Sequence, residues 1–225
     1  MSDEAALLAA ILAHPDEDTP RLMYADWLQE NGQPERAEFI RIQCASDADE
    51  AAEERAFELE ERNKTKWLAG LPQFAEARWE FRRGFPEYLD VPGELMLERY
   101  EAFARVPWLR FLTLSHLHNS TVRNFCGQPW PEQWVELELQ EDPTAPAFMN
   151  GYDCTRSVAA VARCAQVRQL RRLRLSLFEL TLPGVRELAA SDYLAGLERL
   201  HLDEYEPETR LAPLRERFGD RLVIG

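Results

Sequence analysis

No stretch of the chain approaches the ~18–20 consecutive apolar residues of a membrane-spanning helix. The opening residues Met1-Ser2-Asp3-Glu4 carry no basic run ahead of the short apolar segment Ala5 to Ala13, so no secretory leader is expected. Cysteine is scarce as well. Cys44, Cys126, Cys154 and Cys164 form no CxxC pair and stand at no ligand spacing from histidine. In a chain of 225 residues they read as free thiols in a reducing compartment, which makes the cytoplasm the expected location. Catalytic wording is missing too: there is no nucleophile elbow, phosphate-binding loop, dinucleotide fingerprint, HExxH pair or EF-hand loop. The expectation is therefore not an enzyme, with no catalytic residues, no cofactor and no metal. Positive charge is in short supply, with 26 Lys and Arg against 40 Asp and Glu and a net charge of −14. Such a field repels nucleic acids and anionic membranes on average, so neither is an expected partner.

What is present is ordinary for a globular protein, 45% apolar and 29% charged, but unevenly arranged. Residues 1–64 hold 17 acidic and 6 basic residues, a net of −11, whereas the remaining 161 hold a net of only −3. This shift supports two units: an acidic helical one over 1–75 and a second over 85–225.

In the first unit, Leu7, Leu8, Ile11 and Leu12 make one apolar stripe on a helix. A second helix is punctuated by Asp18 or Thr19 as N-cap, Pro20 in its first turn and Gly32 after Asn31. Its buried face is expected to carry Leu22, Tyr24 or Ala25, Trp27 and Leu28. Trp27 reads as a core anchor and Asp26 as a local ion-pair partner of Arg21. A third helix starts at Pro34 with Ala37, Phe39, Ile40 and Cys44 on its apolar side. The charged stretch Asp47 to Lys64 forms a further helix, with Phe57 and Leu59 as its anchors.

The segment Leu8 to Gln43 resembles the bacterial repeat-companion domain. The likeness is carried above all by Asp18-Thr19-Pro20-Arg21-Leu22-Met23-Tyr24-Ala25-Asp26-Trp27-Leu28-Gln29-Glu30-Asn31-Gly32 and by Arg36-Ala37-Glu38-Phe39-Ile40-Arg41. That module is found beside leucine-rich and other repeats, so the resemblance implies architecture and supplies no activity.

The remainder is periodic. The pattern L-x-x-L-x-L occurs at Leu109/Leu112/Leu114, Leu170/Leu173/Leu175 and Leu197/Leu200/Leu202, and at Trp134/Leu137/Leu139 with Trp in first place. The run from Leu170 continues to Phe178 and Leu180. First positions are 25, 36 and 27 residues apart, and the long interval contains a Pro-rich insertion from Glu141 to Asp153. Weaker strands at Leu89-Asp90-Val91 and Leu222-Val223-Ile224 end the array. Helices are expected between strands over Glu94–Ala104, Thr155–Ala165, from Pro183, and around Leu211, Leu214 and Phe218. Alternation at this period resembles the α/β leucine-rich repeats of ribonuclease-inhibitor type, especially from Leu182 to Ser191 and Leu194 to Leu197. The departure is the lack of Asn or Cys at the ninth position, which predicts an irregular turn after each strand. The fold class is thus α/β: a short leucine-rich-repeat solenoid of parallel strands and helices over 85–225, ending in a C-terminal cap. An N-terminal all-α helical domain caps its start through Trp67, Leu71 and Phe74.

In such a solenoid the x positions face the concave side and stack across strands. Phe111, Glu136, Arg172 and Arg199 form one row, and Thr113, Glu138, Arg174 and His201 the next. Ser115, Gln140, Ser176 and Asp203 form a third. Mixed charge beside an exposed Phe suits recognition of a protein partner, the function this pattern supports best. Its identity and the chain's oligomeric state are left open. Residues 156–174 hold six Arg and no acid (Arg156, Arg163, Arg168, Arg171, Arg172, Arg174), with Arg168 and Arg171 as further anchors for an anionic partner. Two other readings stay open: a nucleic-acid binder using this stretch, and an enzyme or accessory subunit. The latter would use His116, His118 or Asp26 between the helical unit and the first repeat. His116 and His118, i and i+2 on a strand, point the same way and could share an ion, but His201 and Asp203 lie on a strand separated from theirs by two others. Cys126 is a nucleophile candidate without supporting context.

Overall fold

Helix punctuation and a two-residue strand spacing account for most of the elements. The computed structural model describes residues 2–141, 155–176, 180–203 and 208–225. Most of the Pro-rich insertion, Cys154 and Phe178 lie outside them. In chain order the helices and strands are α1 (Asp3–Ala13), α2 (Thr19–Glu30), α3 (Pro34–Cys44), α4 (Glu50–Trp67), β1 (Arg78–Arg82), β2 (Phe85–Pro92), α5 (Gly93–Glu98), α6 (Tyr100–Ala104) and β3 (Phe111–Leu117). Then come α7 (Asn119–Cys126), β4 (Glu136–Glu141), α8 (Thr155–Ala162), β5 (Arg172–Ser176), α9 (Leu182–Ala190), β6 (Arg199–Leu202), α10 (Glu208–Phe218) and β7 (Leu222–Ile224). The fold is α/β, with an open seven-stranded, mostly parallel sheet whose order follows the chain. Among the described residues no helix is long and apolar enough to cross a membrane.

The chain divides into two compact units, one of Met1–Gln73 with Trp79–Tyr88 and the other of Phe74–Arg78 with Leu89–Gly225. The first is not all helical. It includes most of a β-hairpin: β1 has no periodic trace in the sequence, and β2 holds the Leu89-Asp90-Val91 strand expected at the start of the repeats.

In the first unit the buried stripe of α2 is Pro20, Arg21, Tyr24, Ala25 and Leu28. Leu22, expected inside, is 39% exposed, and Trp27 is half-buried, stacked on Tyr24 at 5.9 Å. The face is set by the positions 21, 24, 25 and 28, one helix stripe, and a cation occupies its first place because an anion meets it there. Arg21 Nη2 donates to Glu87 Oε1 at 2.5 Å and to the Pro15 carbonyl at 2.9 Å. Both partners are almost fully buried. Burial holds the Arg21 guanidinium below its usual range, opposed by the charge of Glu87. Asp26 therefore does not pair with Arg21; it meets Arg41 at 2.8 Å on the surface.

The hairpin turns through Arg83 and Gly84, both with positive φ (47° and 83°), as a tight two-residue loop requires. A Cβ on Gly84 would stand 2.3 Å from Ile40 Cγ1, so only glycine fits against α3. Arg36 donates to the Gly84 carbonyl, and the Gly84 N–H donates to Gln43 Oε1 at 2.7 Å. The Arg36 guanidinium is boxed by rings, 4.4 Å from the centre of Trp67 and 5.0 Å from that of Phe81. Burial pushes its pKa down to about 10. Trp67 packs on Phe39 at 4.8 Å, while Phe74 packs in the other unit on Phe103 at 5.7 Å.

The second unit repeats one idea. Leu112, Leu137, Leu173, Leu200 and Leu222 are in parallel register across β3 to β7, and Leu114, Leu139, Leu175, Leu202 and Ile224 form the next rung but one. The four first-position residues Leu109, Trp134, Leu170 and Leu197 are all buried. Each buried Leu contributes about 1.5–3 kcal/mol by leaving water. Apolar residues of the helices are buried with them, including Val122 and Phe125 of α7, Val158 and Val161 of α8, Val185 and Leu188 of α9, and Leu211 and Leu214 of α10. α7 is an element that no expected pattern covers, and the helix expected over Glu94–Ala104 is two, α5 and α6.

Backbone pairing also repeats just before each strand. The Arg110 carbonyl accepts from the Val135 and Glu136 N–H groups, Val135 from Arg171 and Arg172, and Arg171 from Glu198 and Arg199. Side chains finish the carbonyls that helix ends and turns leave open. Gln169 donates to the Trp134 carbonyl at 3.2 Å, Ser191 to that of Ala162, Arg217 to those of Ala189 and Ser191, and Arg221 to that of Leu197 at 2.8 Å.

Candidate partner-binding face

Alternation along β5 and β6 puts the leucines on the buried side and the x positions on the other, with burial running exposed, buried, half-buried, buried. Two of the expected rows form as read. Phe111, Glu136, Arg172 and Arg199 are register partners across β3 to β6, and so are Thr113, Glu138, Arg174 and His201. The third row forms only in part. Gln140 pairs with Ser176, but the register slips between Leu114 and Leu117. His116 has φ of 52°, and this left-handed residue breaks the alternation, so Leu117 returns to the buried side. Ser115 and Gln140 are therefore not register partners.

The rows differ in how far they are already satisfied. In the second row, Glu138 accepts from Ser176 Oγ at 2.8 Å, from Gln140 Nε2 at 2.9 Å and from Thr113 Oγ1 at 3.5 Å. Arg174 stands between Glu138 (3.5 Å) and Asp203 (3.2 Å) and donates Nε–H to Ser176 Oγ at 3.0 Å. Thr113 is almost fully buried. His201 Nε2 lies 3.1 Å from the Gly225 carbonyl oxygen. These groups form a connected network in which one cation lies between two carboxylates and their hydrogen bonds are met from within, so a partner gains little by approaching them.

The first row is freer. Arg172 meets Glu136 at 3.3 Å but is about half exposed. Arg199 is exposed and has no ion pair among the described residues. Phe111 is half-buried with the Arg110 guanidinium 5.3 Å from its ring centre. An apolar ring, a carboxylate and two cations thus run in one line across four strands. Sequence reasoning found this row but missed the network beside it. The clue was the Glu-x-Gln and Arg-x-Ser spacing within neighbouring strands, which puts each pair on one face.

The remaining expected residues are dispersed. Arg163 pairs with Glu187 at 2.7 Å in the helix layer, and Arg168 lies 4.5 Å from the ring centre of Tyr193. Arg156 and Arg171 are exposed. The Arg stretch is therefore split between helices and strands rather than gathered on one face. His116 and His118 are exposed, and His118 has left the strand for the start of α7. The i, i+2 geometry expected of them does not hold. Among the described residues no three of His, Cys, Asp and Glu gather as a metal site requires. The Cys126 thiol shares a hydrogen bond with Cys164; that bond and burial push Cys126 up, away from thiolate chemistry. No family model, curated protein or solved structure matches the chain.

Proposed function

We propose that the chain is a non-catalytic, cytoplasmic protein-interaction module. In this reading it is a short leucine-rich-repeat solenoid with a repeat-companion helical unit at its N-terminal end, and its open strand face holds a partner protein. The row Phe111, Glu136, Arg172 and Arg199 carries the reading, because it spans four strands in register and stands outside the self-satisfied network. A complementary partner presents an apolar side chain to Phe111, a cation to Glu136 and a carboxylate to Arg199. Interface energy concentrates in such aromatic and arginine anchors. The likeness of Leu8 to Gln43 to the repeat-companion domain supports the same architecture.

The test is capture by the immobilised full chain, comparing the parent with an Arg199→Glu variant. The expected result is loss of the captured protein at an unchanged melting temperature. Equal capture by both removes the face from the account.

A further inference from the structure

The first unit carries a second surface that its own packing leaves unfinished. Between the end of α3, the following loop and α4 lies a groove of about 370 Å³, lined in part by Phe39, Ile42, Ala48, Ala56 and Phe57. Phe57 was expected to anchor α4, yet it is 66% exposed while Leu59 is fully buried. The helix turns Leu59 inward and leaves the phenyl ring at the groove's edge. Residues three and four positions away are its neighbours on a helix surface. For Phe57 these are Glu53, Glu54, Glu60 and Glu61, all acidic.

Most carboxylates at the α3–α4 seam are neutralised. Glu35 pairs with Arg62 at 3.0 Å, Glu38 with Arg55 at 2.8 Å, and Glu60 with Lys64 at 2.9 Å. Glu53, Glu54 and Glu61 have no ion pair among the described residues. The uncompensated charge therefore collects around the exposed ring. An aromatic face ringed by carboxylates, beside a groove walled by Ile42, Ala48 and Ala56 as well as Gln43, Glu53 and Glu60, complements a group with an aliphatic stem and a positive head. From Glu53 to Glu60 the α4 wall runs about 10 Å, long enough for several residues of a peptide.

We propose that this groove docks a basic, amphipathic segment of a partner protein. One of its apolar side chains enters the groove beside Phe57, and an arginine or lysine lies across the phenyl ring among Glu53, Glu54 and Glu61. The groove belongs to the first unit and the strand face to the second.

The test uses the full chain and a labelled synthetic 12-residue peptide, about three helical turns, of leucine at helical spacing and arginine elsewhere. A twin carries glutamate in place of arginine. Fluorescence anisotropy is measured for the parent, for Phe57→Ala, for the triple variant Glu53→Gln, Glu54→Gln, Glu61→Gln, and for a control triple Glu30→Gln, Glu98→Gln, Glu216→Gln. The proposal expects saturable binding of the basic peptide alone. Phe57→Ala and the groove triple each weaken it at least about tenfold, while the control triple leaves it unchanged. Circular dichroism checks that the exposed substitutions keep the fold. Absence of binding, equal weakening by the control triple, or full binding by Phe57→Ala overturns it. A parent dimer that Phe57→Ala dissociates also overturns it, since a second copy then covers the groove.

Discussion

In the second unit a buried leucine meets another leucine in the next strand, and the match repeats from β3 to β6. In the first unit the deciding contacts are single polar side chains whose partners lie 48 and 66 residues away, Arg36 with Gly84 and Arg21 with Glu87. The difference is one of redundancy. A ladder loses one rung and keeps the others, whereas a buried ion pair that loses one member leaves an uncompensated charge.

Substitutions sharpen this contrast. Arg21→Met is expected to have the largest effect, about 3–5 kcal/mol in denaturant unfolding, because Glu87 stays buried with only Arg83, at 4.0 Å, in place of the close Arg21 contact. Adding Glu87→Leu should recover much of the loss, and a double-mutant cycle measures how much. If Arg21→Met alone is neutral, the pair does not organise the first unit. Leu173→Ala, in the middle of the ladder, should cost about 3 kcal/mol as a cavity without partners. Hydrogen exchange should localise that loss to the second unit and spare the hairpin.

Gly84→Ala should cost about 2 kcal/mol, since the added Cβ meets Ile40 and the positive φ is strained. A neutral result means the turn can shift. The smallest effect expected is at high pH. Burial first, helped by Glu4, pushes Tyr24 up from 10.0 to about 12, and burial does the same for Tyr100 in the other unit. A raised phenol pKa gives stability that is fully present below pH about 10 and is lost as pH rises through about 12. Melting temperature should fall across that window, with the tyrosinate absorbance rising late. Tyr24→Phe and Tyr100→Phe should each flatten the fall. Normal titration of both phenols would contradict their burial.

Much of the second unit was legible because its information is periodic. The spacing of Leu170, Leu173 and Leu175 states both a strand and a buried face, and its recurrence states a neighbour. The bulge at His116 was not legible, since one left-handed residue leaves no periodic trace. In the first unit, Pro20 and Gly32 mark the ends of α2, and Tyr24, Ala25 and Leu28 lie on its buried face as expected, but Arg21 takes the place expected of Leu22. Arg21 looks like a surface residue until β2 supplies Glu87, and nothing near either residue announces the other. Phe57 erred the other way, as an apolar residue taken for an anchor and found outside. At the strand face, register gave the rows at once. Which row is free depended on hydrogen bonds from Ser176 and Gln140, whose partners lie across strands as well as along them.

Site-specific photocrosslinking tests the binding account most directly. A photoreactive amino acid is placed at Arg199 on the strand face or at Arg163 in the helix layer of the otherwise intact chain. The account predicts that the Arg199 position crosslinks a partner protein and the Arg163 position does not. Crosslinking to the same partner from Arg163 alone would contradict it.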